Sequence, residues 1–284
     1  MSFKFVLAVN MAVVVLESFL YALLLVAAST TLYLRFTRHE IPKLLVWNPV
    51  VLFTVLISAT SGAHWILTIV RFFDVFVGSA DAGRSHLDTQ EVQTATGLLT
   101  AMVILIGDAV IIHRLWLIWN RSLLAIILPL ATCVGGFIIG CAITYLCAHP
   151  VAGAQRFLPS TAPWAKAGWF LPLATNVYCT GLITWQIWKT NRTVEHLLGD
   201  GTLVPVLIVL LESAAVWTIW VVFFAVAGET GSPLQNIARD LSPTVAGLVN
   251  MAIYLRVELQ CTRQGSDRTG VAMTSNASII PYYT

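Results

Sequence analysis

Charge is scarce in this chain of 284 residues: Asp, Glu, Lys and Arg together make up 11% of it, against 57% hydrophobic residues. A soluble domain carries about 25% charged residues, so the surplus apolar surface has to face something other than water. The mean hydropathy of +0.80 agrees, and lipid is the expected solvent. There is no run of basic residues and the net charge is only +2, which excludes nucleic acid as a partner. Phosphate-cradling glycine loops and paired-aspartate motifs are missing, and no Cys/His group has zinc-ligand spacing. No cofactor and no metal are therefore expected. Of the five cysteines, Cys133, Cys141, Cys147, Cys179 and Cys261, only Cys147 falls near a predicted outer surface, without a second cysteine to meet it. No structural disulfide is predicted.

What is present in quantity is long apolar runs. A helix rises 1.5 Å per residue, so about 20 apolar residues cross the hydrocarbon core. Seven stretches reach that scale, at about 6–34, 45–70, 94–119, 123–148, 167–188, 203–227 and 241–255. The fold class predicted is all-α, a polytopic transmembrane bundle of seven helices occupying residues 1–257. The weakest stretch is the seventh, which opens beside Arg239 and Asp240 and carries Ser242 and Pro243. Residues 258–284 are polar and are expected to form a disordered cytosolic tail. Asn120-Arg121-Ser122 is barely a loop, which makes helices 3 and 4 antiparallel neighbours.

Lysine and arginine in the short loops set the orientation. With the N-terminus outside, ten lie on the cytosolic side (among them Arg35, Arg38, Lys43, Arg121 and Arg256) and six on the outer side (Lys4, Arg71, Arg84, Arg156, Lys166 and Arg239). A receptor-like N-out/C-in topology follows, in the plasma membrane or the endoplasmic reticulum. Ala27-Ala28-Ser29 imitates a signal-cleavage site, but the run before it is too long for a signal core and contains Glu17, so a signal anchor is the better reading. The sequon at Asn276 lies on the cytosolic side in this topology, and its glycosylation would invert the assignment. Cys261, just past helix 7, is a candidate for palmitoylation.

Ionisable residues inside a membrane are costly and therefore functional candidates. Glu17 (helix 1), Asp108 (helix 3) and Glu212 (helix 6) are the catalytic candidates if the chain is an enzyme. For ligand binding the candidates are His64, Asp108, Asn176, Glu212 and Trp217. Each carboxyl also has a structural reading as interhelical glue, hydrogen-bonded to a polar side chain on a neighbouring helix. Arg71 and Asp74, three residues apart, are placed to pair with each other near the outer boundary. Thr94, Gly97 and Asp108 share one face of helix 3, a small polar seam turned toward the bundle. Gly136 and Gly140 in helix 4 form a GxxxG pattern for close packing. Pro129, Pro172 and Pro243 are expected to bend helices 4, 5 and 7.

The segment from Gly107-Asp108 through His113-Arg114-Leu-Trp116 to Trp119 resembles a recurring stretch of uncharacterised seven-helix integral membrane proteins of mushroom-forming (basidiomycete) fungi. Residues 180–188 and Glu212-Ser213-Ala214 look like that family's helix 5 and helix 6 segments. The resemblance spans about residues 20–256, and helix 7 departs from it beyond Pro243-Thr244. It implies a fold and a membrane location; it brings no activity and no site residues. Two other seven-helix families are tested by single residues. A retinal pigment needs a lysine in helix 7, and Lys4, Lys43, Lys166 and Lys189 all lie outside the membrane cores, so a retinal pigment is excluded. His113-Arg114-Leu115 and Asn250-Met-Ala-Ile-Tyr254 are only faint echoes of the animal G-protein-coupled receptor motifs.

Three functions are expected on these grounds. The first is a receptor-like sensor whose small apolar ligand enters from the outer side between helices 3, 5, 6 and 7. The second is a membrane-embedded enzyme of isoprenoid or terpene-cyclase type, in which a buried carboxylic acid protonates the substrate and tryptophans stabilise a carbocation. The third is a transporter, which needs a continuous polar path. Membrane lipid is the one partner common to all three.

Overall fold

In the computed structural model, residues 3–38, 49–77, 85–148, 158–198, 204–230 and 234–277 are described. They form seven helices: α1 (Phe3–Arg38), α2 (Pro49–Val77), α3 (Ser85–Ile118), α4 (Leu124–Ala148), α5 (Leu158–Leu198), α6 (Val204–Glu229) and α7 (Leu234–Ala277). The fold is an all-α bundle, and among the described residues five helices (α1, α2, α3, α4 and α6) are long and apolar enough to cross a membrane. The chain is a membrane protein. Outward faces carry large side chains that water would not tolerate, such as Phe19, Val26, Ile127, Leu128, Ile138 and Ile219. In lipid these faces cost nothing, while each helix satisfies its own backbone groups.

The registers follow from pairs of contacts. His64 on Glu17, Trp65 on Ser18 and Tyr21 on Ser58 run α2 antiparallel to α1. Gly97 meets Thr144 and Gly140 meets Ala101, so α4 descends beside α3. Thr132 bonds Thr175 at 2.8 Å between α4 and α5, and Trp220 donates to Ser242 at 2.9 Å between α6 and α7. α7 runs parallel to α1, with Gly247 against Leu24 and Arg35 bonded to Glu258 at 2.8 Å. It also touches α2, α3 and α6.

Centrality explains why α7 reads so weakly. Every residue from Asp240 to Gly247 is buried, so its polar side chains meet protein instead of lipid. Ser242 donates to the Ala238 carbonyl at 2.7 Å, and Asn250 Nδ2 donates to the Ala246 carbonyl at 3.0 Å. In α5, Asn176, Gln186 and several threonines lower the hydropathy in the same way. The helices outrun the stretches read from composition. Residues 258–277, expected to be disordered, continue α7 as helix to Ala277. Helix formation needs no apolar side chains, and no proline follows Pro243 before Ala277. Both Pro129 and Pro243 lie inside helices that continue through them.

Between α3 and α4 the chain reverses through Asn120 (φ 48°) and Arg121 (φ 63°). The Arg121 amide donates to the Trp116 carbonyl at 2.8 Å, closing α3 with the wide hydrogen-bonded ring of a left-handed helix cap. Cys133, Cys141 and Cys179 are free thiols. The side chains of Cys147, Cys261 and Asn276, and with them the disulfide, palmitoylation and sequon expectations, lie outside the described residues.

Candidate functional site

A cavity of about 250 Å³ opens inside the bundle. α3 supplies its spine through Thr96, Gly97, Thr100, Ala101, Ile104, Leu105 and Asp108. Positions three and four apart stack on one helix face, which is why a single stripe of α3 lines it from end to end. α4 adds Cys133, Gly136, Phe137, Gly140, Ile143 and Thr144, and α5 adds Gly168 and Pro172. His64 reaches in from α2, Phe224 from α6, and Gln235, Arg239 and Asp240 from the start of α7. Glycines keep the space open while letting the helices approach. A Cβ on Gly97 would sit 3.0 Å from Thr144 Oγ1, and one on Gly140 would sit 3.2 Å from the Ala101 methyl.

One end of this cavity is charged. Arg71 of α2 bonds Asp240 of α7 at 2.5 Å, and Arg239 approaches the other Asp240 oxygen at 3.5 Å. Arg71 thus reaches across to α7, where the sequence pointed along its own helix to Asp74. The cross-helix partner prevails because Asp240 is brought into the buried interior facing it. Arg239 remains 41% exposed, so this end meets the surroundings of the bundle.

The other end is Asp108. It is 7% exposed, and among the described residues no hydrogen bond or ion pair reaches it. Cys133 shares the cavity wall with it, and Cys179 packs with Cys133. Below it, Ile111, Ile112, Leu115 and Ile183 join these cysteines in an apolar plug. A buried polar group without a partner costs about 1–3 kcal/mol, and native structures hold few of them. Asp108 is therefore not interhelical glue, which requires a partner.

Glu17 is glue. Its Oε1 lies 2.7 Å from His64 Nδ1, both side chains are wholly buried, and the pair clamps α1 to α2. The structure thus brings His64 and Asp108 to one cavity and puts Glu17 behind His64. The remaining candidates lie elsewhere. Asn176 borders a void of only about 10 Å³ with Arg114 and Thr180. Glu212 is 56% exposed at the opposite end of the bundle, where it pairs with Arg256. Trp217 is packed against Val103, Val221 and Val249 in the core. Gly97 of the α3 seam lines the cavity, as do both glycines of the GxxxG pattern, Gly136 and Gly140.

The charged end was not singled out from the sequence, although adjacent Arg239 and Asp240 at the start of the seventh stretch carried the signal. Among the described residues no group of His, Cys, Asp or Glu could hold a metal ion. No family model, curated protein or solved structure matches this chain.

Proposed function

We propose that this membrane protein is a receptor-like sensor that holds a small, largely apolar molecule in the cavity between α3, α4 and α5. The observation that carries the reading is Asp108, a buried carboxyl group without a partner at the closed end of a cavity of about 250 Å³. Ligand pockets begin at about 300 Å³ and combine apolar walls with a few convergent polar groups, so a small metabolite suits this one. A ligand hydrogen-bond donor supplies what Asp108 lacks. On the lysine and arginine bias, the Asp240 end faces outward and the tail is cytosolic. Entry is then beside Arg239, and α4 joins the lining helices expected from the sequence, with α6 contributing only Phe224.

Two other readings fare less well. A cyclase needs an aromatic cage around its cation, yet among the described lining residues the only Phe, Tyr or Trp rings are Phe137 and Phe224. A transporter needs a path, and the Ile111–Leu115 plug closes the cavity beyond Asp108. The test uses the full chain in nanodiscs and a diazirine-bearing twelve-carbon alkanol. The expected result is light-dependent labelling of peptides from α3 and α4, lost in Leu105→Trp, which fills the cavity. Labelling spread evenly over lipid-facing helices and indifferent to Leu105→Trp would rule the site out. Conversion of the probe to a new product would replace the sensor with the enzyme.

A further inference from the structure

The two ends of the cavity differ in chemistry. At the charged end Arg71 and Arg239 face a single carboxylate, Asp240, which leaves one positive charge in excess among these three side chains. Arg71 Nε is buried and without a hydrogen bond, and Arg239 is half exposed at the opening. At the closed end Asp108 has, among the described residues, no cation beside it and receives no hydrogen bond. Gly107 packs against Asn250, and α7 runs parallel to α3, which sets Asp240 level with Gly97. From that level to Asp108 the cavity extends about 16 Å along α3 at 1.5 Å per residue. Its walls in between are Ala101, Ile104, Leu105 and Phe137. The hydroxyls of Thr100 and Thr144 are spent on carbonyls of their own helices, each at 2.9 Å.

From this polarity we infer that the ligand is a two-headed, medium-length amphiphile with an anionic group at Arg239 and a neutral hydroxyl donating to Asp108. This rests on the reading of the cavity as a ligand site. An ammonium at the deep end is disfavoured because it would pass two guanidinium groups on entry. An anionic group there would meet the Asp108 carboxyl without any cation to offset it. At the mouth the same charges reverse the preference: an anion finds the excess guanidinium, and Arg carboxylate pairing is favourable and directional. An omega-hydroxylated fatty acid of about twelve carbons represents the class.

The experiment compares three probes on the full chain in zwitterionic nanodiscs: a twelve-carbon omega-hydroxy fatty acid, the plain fatty acid of equal length, and the alkanol. Displacement of the diazirine alkanol reads binding. The two-headed probe is expected to bind at least about tenfold tighter than either single-headed one, a gap of about 1.4 kcal/mol. Arg239→Gln should erase the advantage over the alkanol, Arg239→Lys should restore most of it, and Asp108→Leu should erase the advantage over the plain acid. Rising salt should weaken both acids and leave the alkanol unchanged, a readout that needs no variant to fold. Equal binding of alkanol and hydroxy acid, with no salt dependence, overturns the two-headed ligand and leaves the cavity reading standing. If the diazirine alkanol itself fails to label α3 and α4, both fall together.

Discussion

Two acidic side chains, Glu17 and Asp108, look alike in the sequence and differ in the bundle because one has a partner. Glu17 is matched by His64 at 2.7 Å in a wholly buried pair. Removing one member of such a pair strands the other in a medium that solvates it poorly. His64→Leu is therefore expected to lower stability by about 3–5 kcal/mol. The double change Glu17→Leu with His64→Leu should recover most of that loss, read as the thermal midpoint in nanodiscs. A double variant no better than the single one would show that the pair is not the unit of stability. Asp108 behaves oppositely. Without ligand its unpartnered group is a burden, so Asp108→Leu is expected to stabilise the bundle by about 1–3 kcal/mol, while weakening but not abolishing labelling by the alkanol probe. A destabilised Asp108→Leu would mean that the carboxyl has a structural partner after all. The exposed pair of Glu212 and Arg256 is the control: surface ion pairs are worth about 0–1 kcal/mol, and Glu212→Gln should leave the midpoint within a degree or two of the parent.

Close approach of α1, α2 and α7 depends on one glycine. A Cβ on Gly247 would lie 2.6 Å from Leu24 Cδ1 and 3.0 Å from Ile57 Cγ2. Leu24 and Ile57 are themselves completely buried, so neither can swing aside. Overpacking of this kind costs about 1–3 kcal/mol, more than the gain of about 1 kcal/mol that alanine brings over glycine in a helix. Gly247→Ala is thus expected to destabilise, whereas Gly181→Ala, where a Cβ meets nothing within 4 Å, should stabilise by about 1 kcal/mol. Paired melting curves of the two variants measure the difference, and similar shifts in the same direction would contradict the packing of α7 against α1 and α2. Element existence was legible beforehand because helices facing lipid must be apolar for about 20 residues. Element ends were not: α7 runs on to Ala277, a stretch in which neither lipid nor core marks the boundary.

For the whole molecule, an odd number of crossings places the two termini on opposite faces. Cysteine-accessibility labelling at engineered sites next to Met1 and Thr284, in sealed vesicles, should modify one from outside and the other only after permeabilisation. Modification of both from one side would mean an even count and would remove α5 or α7 from the membrane. With the tail cytosolic, the Asn276 sequon is expected to carry no glycan, and a mass shift reversed by glycosidase would invert the orientation.

Composition alone was enough for the class of fold and for its solvent, since the hydrophobic surplus and the lengths of the apolar runs are local properties that any neighbour leaves unchanged. It also marked Asp108 and His64 as costly residues, because cost depends on residue type and depth. Which of the costly residues are satisfied is a matter of partners on other helices. Glu17 meets His64, Arg71 bypasses Asp74 for Asp240, and Glu212 turns outward to Arg256. Those pairings are set by helix registers that bring residues tens to hundreds of positions apart within 4 Å. The cavity, its charged mouth and its unpartnered floor therefore exist only once seven helices have packed.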